Sequence, residues 1–231
     1  MRFLKRVIKK IIKILFPTKK FDDRGERVDI YYKDKIGFDK FDIYQKSHYR
    51  RYEFAAQIIS ANNYVGDFAC GTGYGSILLS KQSKKVLGVD ISHKVIAEIQ
   101  KRYKNFNTVS FHQQNLLHLD YNSEFDTIVS FETIEHFKEE DIERLFGVFN
   151  KALKTNGKLI FSTPYLQEKS EVAISLGHHL TFYIDEQKLE AWLRGAGFLV
   201  EYYRYQNYQT HEIKDHQETK DFIICVASKI A

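Results

Sequence analysis

Hydrophobic positions along this chain fall alternately into short runs and into helical spacings. Tyr64-Val65-Gly66-Asp67-Phe68 is an apolar run ending near an acid, and after a glycine-rich turn Ser76 to Ser80 has the character of a helix start. Lys85 to Asp90 repeats the pattern, with Ser92 as the cap of a helix whose Val95, Ile96, Ile99 and Tyr103 share one face. Val109 to His112 predicts a third strand with a turn at Gln113–Leu116. Phe125 to Ser130 predicts a fourth strand and Gly157 to Pro164 a fifth. Between the last two, Ile142, Leu145, Phe146, Phe149 and Leu153 keep helical spacing up to a stop at Asn156-Gly157. Asp185 caps a further predicted helix that buries Leu189, Trp192 and Leu193 and stops near Gly195 and Gly197. The runs Phe198–Tyr205 and Phe222–Ala227 complete the set. Strands and helices that alternate in this way specify an α/β doubly wound sheet.

The turn between the first strand and its helix carries the chemistry. Ala69-Cys70-Gly71-Thr72-Gly73-Tyr74-Gly75 places three glycines at alternate positions. Gly71 and Gly73 can take positive φ and let a ligand approach the backbone where a Cβ would collide. A strand, a glycine-rich turn and a helix start in that order form the context of a nucleotide-cofactor loop. Asp67 sits just before the glycines, where it would repel a pyrophosphate but suits a ligand bearing an ammonium and a sulfonium. Asp90 ends the second strand about 20 residues further on, the place where a ribose diol is gripped in such sheets. One carboxylate can accept from both neighbouring hydroxyls. A tight turn with no ligand would need the glycines but not the second acid.

These residues resemble the D-x-x-C-G-x-G-x-G motif of class I S-adenosylmethionine-dependent methyltransferases. The resemblance covers roughly residues 24–228 and implies a Rossmann-like, seven-stranded doubly wound sheet with S-adenosylmethionine as methyl donor. It implies cofactor contacts at Asp67, Ala69, Gly71 and Gly73, at Asp90 and Ile91, at Asn115 and Leu116 beside the adenine, and at Phe131. Cys70 is then a small packing residue, because transfer from a sulfonium needs no covalent enzyme intermediate.

Two flanking segments narrow the resemblance. Arg24-Gly25-Glu26-Arg27, followed by His48-Tyr49-Arg50-Arg51-Tyr52-Glu53-Phe54-Ala55, is similar to the G-E-R…H-x-x-R-Y-x-F-A entry of bacterial small-molecule and glycan methyltransferases. Ser130-Phe131-Glu132-Thr133-Ile134-Glu135-His136 is similar to their S-F-E-x-x-E-H segment. The similarity implies O-methylation of a sugar or a lipid-linked glycan in a cell-surface polysaccharide pathway. Arg51 is the candidate partner of the cofactor carboxylate. His136 lies just past the fourth strand as the candidate base, and Glu135 or Glu132 is placed to orient it or to hold a divalent metal. His178-His179-Leu180-Thr181-Phe182-Tyr183 resembles an H-x-R-E-Y acceptor-pocket segment, with Thr181 and Phe182 in place of Arg and Glu, and makes His179 a second candidate base. N-methylation of an amino sugar, O-methylation of a quinone precursor and a cofactor-binding scaffold without turnover stay open.

Charge adds a separate element. The 231-residue chain has a net charge of +5, yet residues 1–20 hold eight Lys or Arg and no acid, so the rest carries a small acidic excess. That remainder has no overall basic character to attract nucleic acid. The N-P-P-Y type of loop that marks DNA amino-methyltransferases is also missing after the fourth strand. Leu4, Val7, Ile8, Ile11, Ile12 and Leu15 would line one side of a helix over residues 1–16, with Arg2, Lys5, Arg6, Lys9, Lys10 and Lys13 on the other. Such a helix suits the interface of an anionic cytoplasmic leaflet better than a span or a signal peptide. Docking on the chain's own domain or on a partner is the alternative. The expected organisation is therefore a basic amphipathic segment, 1–20, and a methyltransferase domain, 21–231. Two distant cysteines give neither a metal spacing nor a disulfide framework, which points to a reducing, cytoplasmic compartment.

Overall fold

The computed structural model describes residues 27–30, 38–171 and 179–230. The predicted basic helix over residues 1–20, Arg24-Gly25-Glu26 and His178 lie outside the described residues. Among the described residues, eight strands form one sheet: β1 (Tyr64–Phe68), β2 (Lys85–Asp90), β3 (Val109–Gln113), β4 (Phe125–Phe131), β5 (Leu153–Pro164), β6 (Phe198–Gln206), β7 (Ile213–Lys214) and β8 (Phe222–Lys229). Their order is β3-β2-β1-β4-β5-β8-β6-β7. The first five pair in parallel, whereas β8 is antiparallel to both β5 and β6. The doubly wound sheet expected from the sequence is present, with an eighth strand added. That strand, β7, has two residues and pairs only with Tyr205 and Gln206, too short to leave a periodic signal.

Five helices are described: α1 (Ile43–Ile58), α2 (Tyr74–Leu79), α3 (His93–Arg102), α4 (Glu139–Ala152) and α5 (Glu186–Gly195). The caps read from the sequence form. Ser92 accepts from the Val95 N–H and Asp185 from the Lys188 N–H. Helix α1 starts at a capping box, in which Asp42 accepts from the Gln45 N–H and the Gln45 side chain from the Asp42 N–H. One boundary differs. Helix α4 ends at Ala152, and Leu153 already opens β5 by pairing with Phe125. An apolar residue satisfies either period there, and Leu153 is buried by the strand rather than by the helix.

One face of the sheet packs on α4 and α5 through Phe146, Phe149, Phe161, Leu189 and Leu193. The other packs on α1 and α2 through Tyr52, Ala55, Val65, Tyr74, Leu79 and Val129, and a smaller cluster with Ile77, Ile96, Ile99 and Phe111 lies under α3. Because β1, β2, β4 and β5 run in parallel, their carboxyl ends share one edge. Chain order turns in opposite directions from β1 toward β2 and toward β4, so the crevice of this open sheet opens there. No helix among the described residues is long and apolar enough to cross a membrane.

Helices α1 and α2 touch at Gly75, where a Cβ would stand 2.1 Å from the Tyr52 ring. Gly75→Ala should therefore lower the unfolding free energy by about 1–3 kcal/mol, the usual cost of overpacking, in urea denaturation. An unchanged midpoint would show that the two helices can separate freely.

Candidate functional site

Two carboxylates, Asp67 and Asp90, meet the glycine turn at the carboxyl edge. Asp67, on β1, has no exposed surface. The Tyr52 hydroxyl donates to its Oδ1 at 3.1 Å and the Ser76 hydroxyl to its Oδ2 at 2.5 Å. Burial pushes the carboxyl up to about 7, although both donated bonds act against the rise. The expectation of a carboxylate facing a ligand thus differs from the structure, in which Asp67 is spent on joining β1 to α1 and α2. Burial also raises the thiol of Cys70 well above its ordinary value, in keeping with a packing role.

Asp90 lies at the end of β2 beside the turn. Its Oδ2 accepts from the Gly71 N–H at 3.1 Å, and its Oδ1 accepts from the Ser92 N–H at 2.9 Å and from Arg27 at 3.1 Å. Gly71 and Gly73 have positive φ, as the turn requires, and so does Ala69 at 65°. A non-glycine residue held there is strained by about 1–2 kcal/mol, which the surrounding bonds must hold. The next residue along, Ile91, leaves 62% of its surface exposed at this edge. Asn115 is half-buried, and its Oδ1 accepts from the Leu117 N–H to cap the short turn Leu116–His118. Leu116 and Phe131 are buried in the core, Phe131 with its ring 5.0 Å from that of Tyr52.

The loop after β4 forms a second group. Arg51, on α1, is wholly buried, with Nη1 3.3 Å from Glu132 Oε1 and its guanidinium 4.3 Å from the centre of the Phe222 ring. None of its three nitrogens has a hydrogen-bond partner among the described residues. Glu132, held at φ 51°, also accepts from Ser162 at 2.7 Å. Glu135 is 1% exposed, accepts from the Thr163 hydroxyl on Oε2, and has no hydrogen-bond partner on Oε1 among the described residues. Burial and the neighbouring Glu132 push its carboxyl well above the usual range. His136 and His179 stand edge to face with ring centres 5.0 Å apart, and His179 Nδ1 meets Gln167 Oε1 at 2.6 Å. Ligand atoms of Glu135, His136 and His179 lie within 4.8 Å of one another, close enough to hold a divalent ion. The pairing is built by the backbone, since the Leu180 and Thr181 N–H groups both donate to the Glu135 carbonyl.

The structure thus joins Gly71 to Asp90, Arg51 to Glu132, and Glu135 to His136. It keeps Asp67, Leu116 and Phe131 inside the protein. Tyr52, Ser76 and Gln167 were not foreseen. The R-Y pair at 51–52 was a usable signal for the first, because adjacent polar residues on an otherwise buried helix face need partners. Gln167 gave none.

Residues 65–157 match the family described as "Methyltransferase domain". Over that stretch the chain is similar to a methyltransferase domain, in line with the class I resemblance of its glycine turn. A protein described as a probable S-adenosylmethionine-dependent methyltransferase in Mycolicibacterium smegmatis is 26% identical over 163 residues, 66% of this chain and 60% of the relative. The chain spans 40–60% of the length of the first curated relatives it matches. Among solved structures, an S-adenosylmethionine-dependent methyltransferase from Clostridium acetobutylicum superposes with a TM-score of 0.62 at 15% identity, covering 86% of this chain and 96% of that one. The [4+2]-cyclase SpnF superposes at 0.67 with 13% identity, over 97% of this chain and 93% of that one. The methyltransferase architecture is therefore shared, and the architecture by itself does not select the reaction.

The raised Asp67 carboxyl has a measurable consequence. A carboxyl held higher in the folded chain than in the unfolded chain binds its proton more tightly when folded. Its contribution to stability is complete below the unfolded value of about 4 and is lost as pH rises toward about 7. Asp67→Asn should remove that part of the decline when urea unfolding free energy is followed from pH 4 to 8. The same slope in both proteins would mean that Asp67 ionises normally.

Proposed function

We propose that this protein is an S-adenosylmethionine-dependent methyltransferase that O-methylates a sugar or lipid-linked glycan for a cell-surface polysaccharide. The observation that carries the cofactor half is the junction of Asp90 with the glycine turn, beside an isoleucine left exposed at the same edge. Asp90 receives the ribose hydroxyls and Asn115 the adenine edge, with the exposed Ile91 as an apolar wall and Leu116 and Phe131 backing the site from the core. Backbone at Ala69, Gly71 and Gly73 admits the ligand, and Asp67 braces that backbone from below. Arg51 supports the same reading: Glu132 supplies its countercharge, but its buried nitrogens have no hydrogen-bond acceptor among the described residues, and a cofactor carboxylate would give them one.

When bound, S-adenosylmethionine supplies a methyl group already activated on a sulfonium. The protein's own task is to align the acceptor and remove its proton. His136 takes the hydroxyl proton on its imidazole, at the mouth of the crevice where acceptors collect. Glu135 is the positioning residue behind it. The acceptor class rests on the G-E-R…H-x-x-R-Y-x-F-A and S-F-E-x-x-E-H resemblances. The basic segment 1–20 is the proposed membrane-surface anchor of a domain spanning 21–231, which would place the enzyme at the cytoplasmic face. The Glu135–His136–His179 cluster favours a second reading, a metal-dependent O-methyltransferase acting on a quinone precursor.

Production of S-adenosylhomocysteine with glycan acceptors tests the proposal, and no turnover with any hydroxyl acceptor would refute it. His136→Ala should lower kcat by about 10²-fold or more with cofactor affinity kept. An amine acceptor would tolerate that change. Loss of turnover on chelation, restored by one divalent ion, would favour the metal-dependent reading. Deleting residues 1–16 should reduce sedimentation with anionic vesicles, and an unchanged partition would remove the anchor from the proposal.

A further inference from the structure

Asp90 is assigned to the ribose above, and another group already stands in that place. Arg27 Nη2 lies 3.1 Å from Asp90 Oδ1, and the Ser92 N–H donates to the same oxygen at 2.9 Å. The Gly71 N–H takes one position on Oδ2. A carboxylate oxygen accepts about two hydrogen bonds, so Oδ1 is full while Oδ2 keeps one acceptor position. The Asp90 side chain is only 7% exposed under this cover. A vicinal diol gripped by one carboxylate needs an acceptor position on each oxygen. Guanidinium and diol are therefore mutually exclusive on Asp90.

The chain that carries Arg27 crosses the glycine turn as a strap. Its Cγ stands 3.9 Å from where a Cβ on Gly71 would sit. Downstream, three bonds that do not involve Asp90 hold the strap. The Thr72 hydroxyl donates to the Val28 carbonyl at 2.6 Å, Gln45 Nε2 donates to the Asp29 carbonyl at 2.8 Å, and Arg102 Nη1 pairs with Asp29 Oδ1 at 2.7 Å. Val28 and Ile30 are buried in the cluster that includes Tyr52, Ala55 and Tyr74. The anchored part can thus stay in place while Arg27 swings away.

We propose that Arg27 is an intramolecular latch on the cofactor site, occupying the ribose position on Asp90 and yielding it when S-adenosylmethionine enters. The inference rests on the assignment of Asp90 to the ribose. The latch has a physical purpose, since a carboxylate this deeply covered is expensive to leave with open acceptor positions and no countercharge. It also sets affinity. Cofactor binds the unlatched fraction of molecules, and the apparent dissociation constant is the intrinsic one divided by that fraction.

Calorimetric titration of the full chain with S-adenosylhomocysteine tests this with three variants. Arg27→Ala and Arg27→Gln should each tighten binding by about tenfold, as expected if about nine molecules in ten are latched. Asp90→Ala should abolish most binding. If Asp90→Ala is defective while both Arg27 variants bind as the unaltered chain does, or more weakly, the latch is wrong and the ribose assignment stands. If Asp90→Ala binds normally, the ribose assignment falls and takes the latch with it.

Discussion

A carboxylate without exposed surface, Asp67, sits on the central strand and is held by hydroxyls from two helices. Burying such a group is tolerable only when its oxygens find donors, and Tyr52 and Ser76 are those donors. The arrangement therefore dictates where α1 and α2 lie relative to β1. Gly75 exists at the contact because the Tyr52 ring leaves no room for a Cβ. Arg51 precedes Tyr52 on the same helix, so the bond that places the tyrosine also carries the guanidinium in beside Glu132.

The edge of the sheet is accordingly a set of buried charges in unequal states of compensation. Asp90 is paired with Arg27, which together with the Ser92 N–H saturates one of its oxygens. Among the described residues, Arg51 has a countercharge in Glu132 but no hydrogen bond, and Glu135 keeps one oxygen unmatched. Unpaired polar atoms are rare in protein interiors, and where they gather they mark places built for a further partner. Here they gather where the parallel strands end and where the order of the sheet reverses, which is where open α/β sheets bind ligands.

Much of this was legible from the order of residues. Alternating apolar runs and helical spacings were enough for β1 to β6, β8 and four helices, because period two and period 3.6 bury different positions. Leu153 was misplaced since a single apolar residue at a junction serves both periods. Helix α1 escaped the hydrophobic pattern because its buried face carries Ser47, Arg51 and Tyr52, residues whose partners lie elsewhere in the chain. In the site, local spacing revealed the glycine turn and the acid closing β2. It could not reveal that Asp67 would be consumed by Tyr52 and Ser76, nor that His179 would stand against His136.

Sequence alone determined the sheet's character, the cofactor turn and the acids flanking it, since these depend on neighbours within a few residues and on backbone freedom at glycine. Tertiary structure alone decided which charges meet. Arg27 and Asp90 are 63 residues apart, and Arg51 reaches Glu132 only because α1 is packed against the sheet. Electrostatic compensation inside a protein follows distance in space, and no local pattern encodes that distance until the chain has closed on itself.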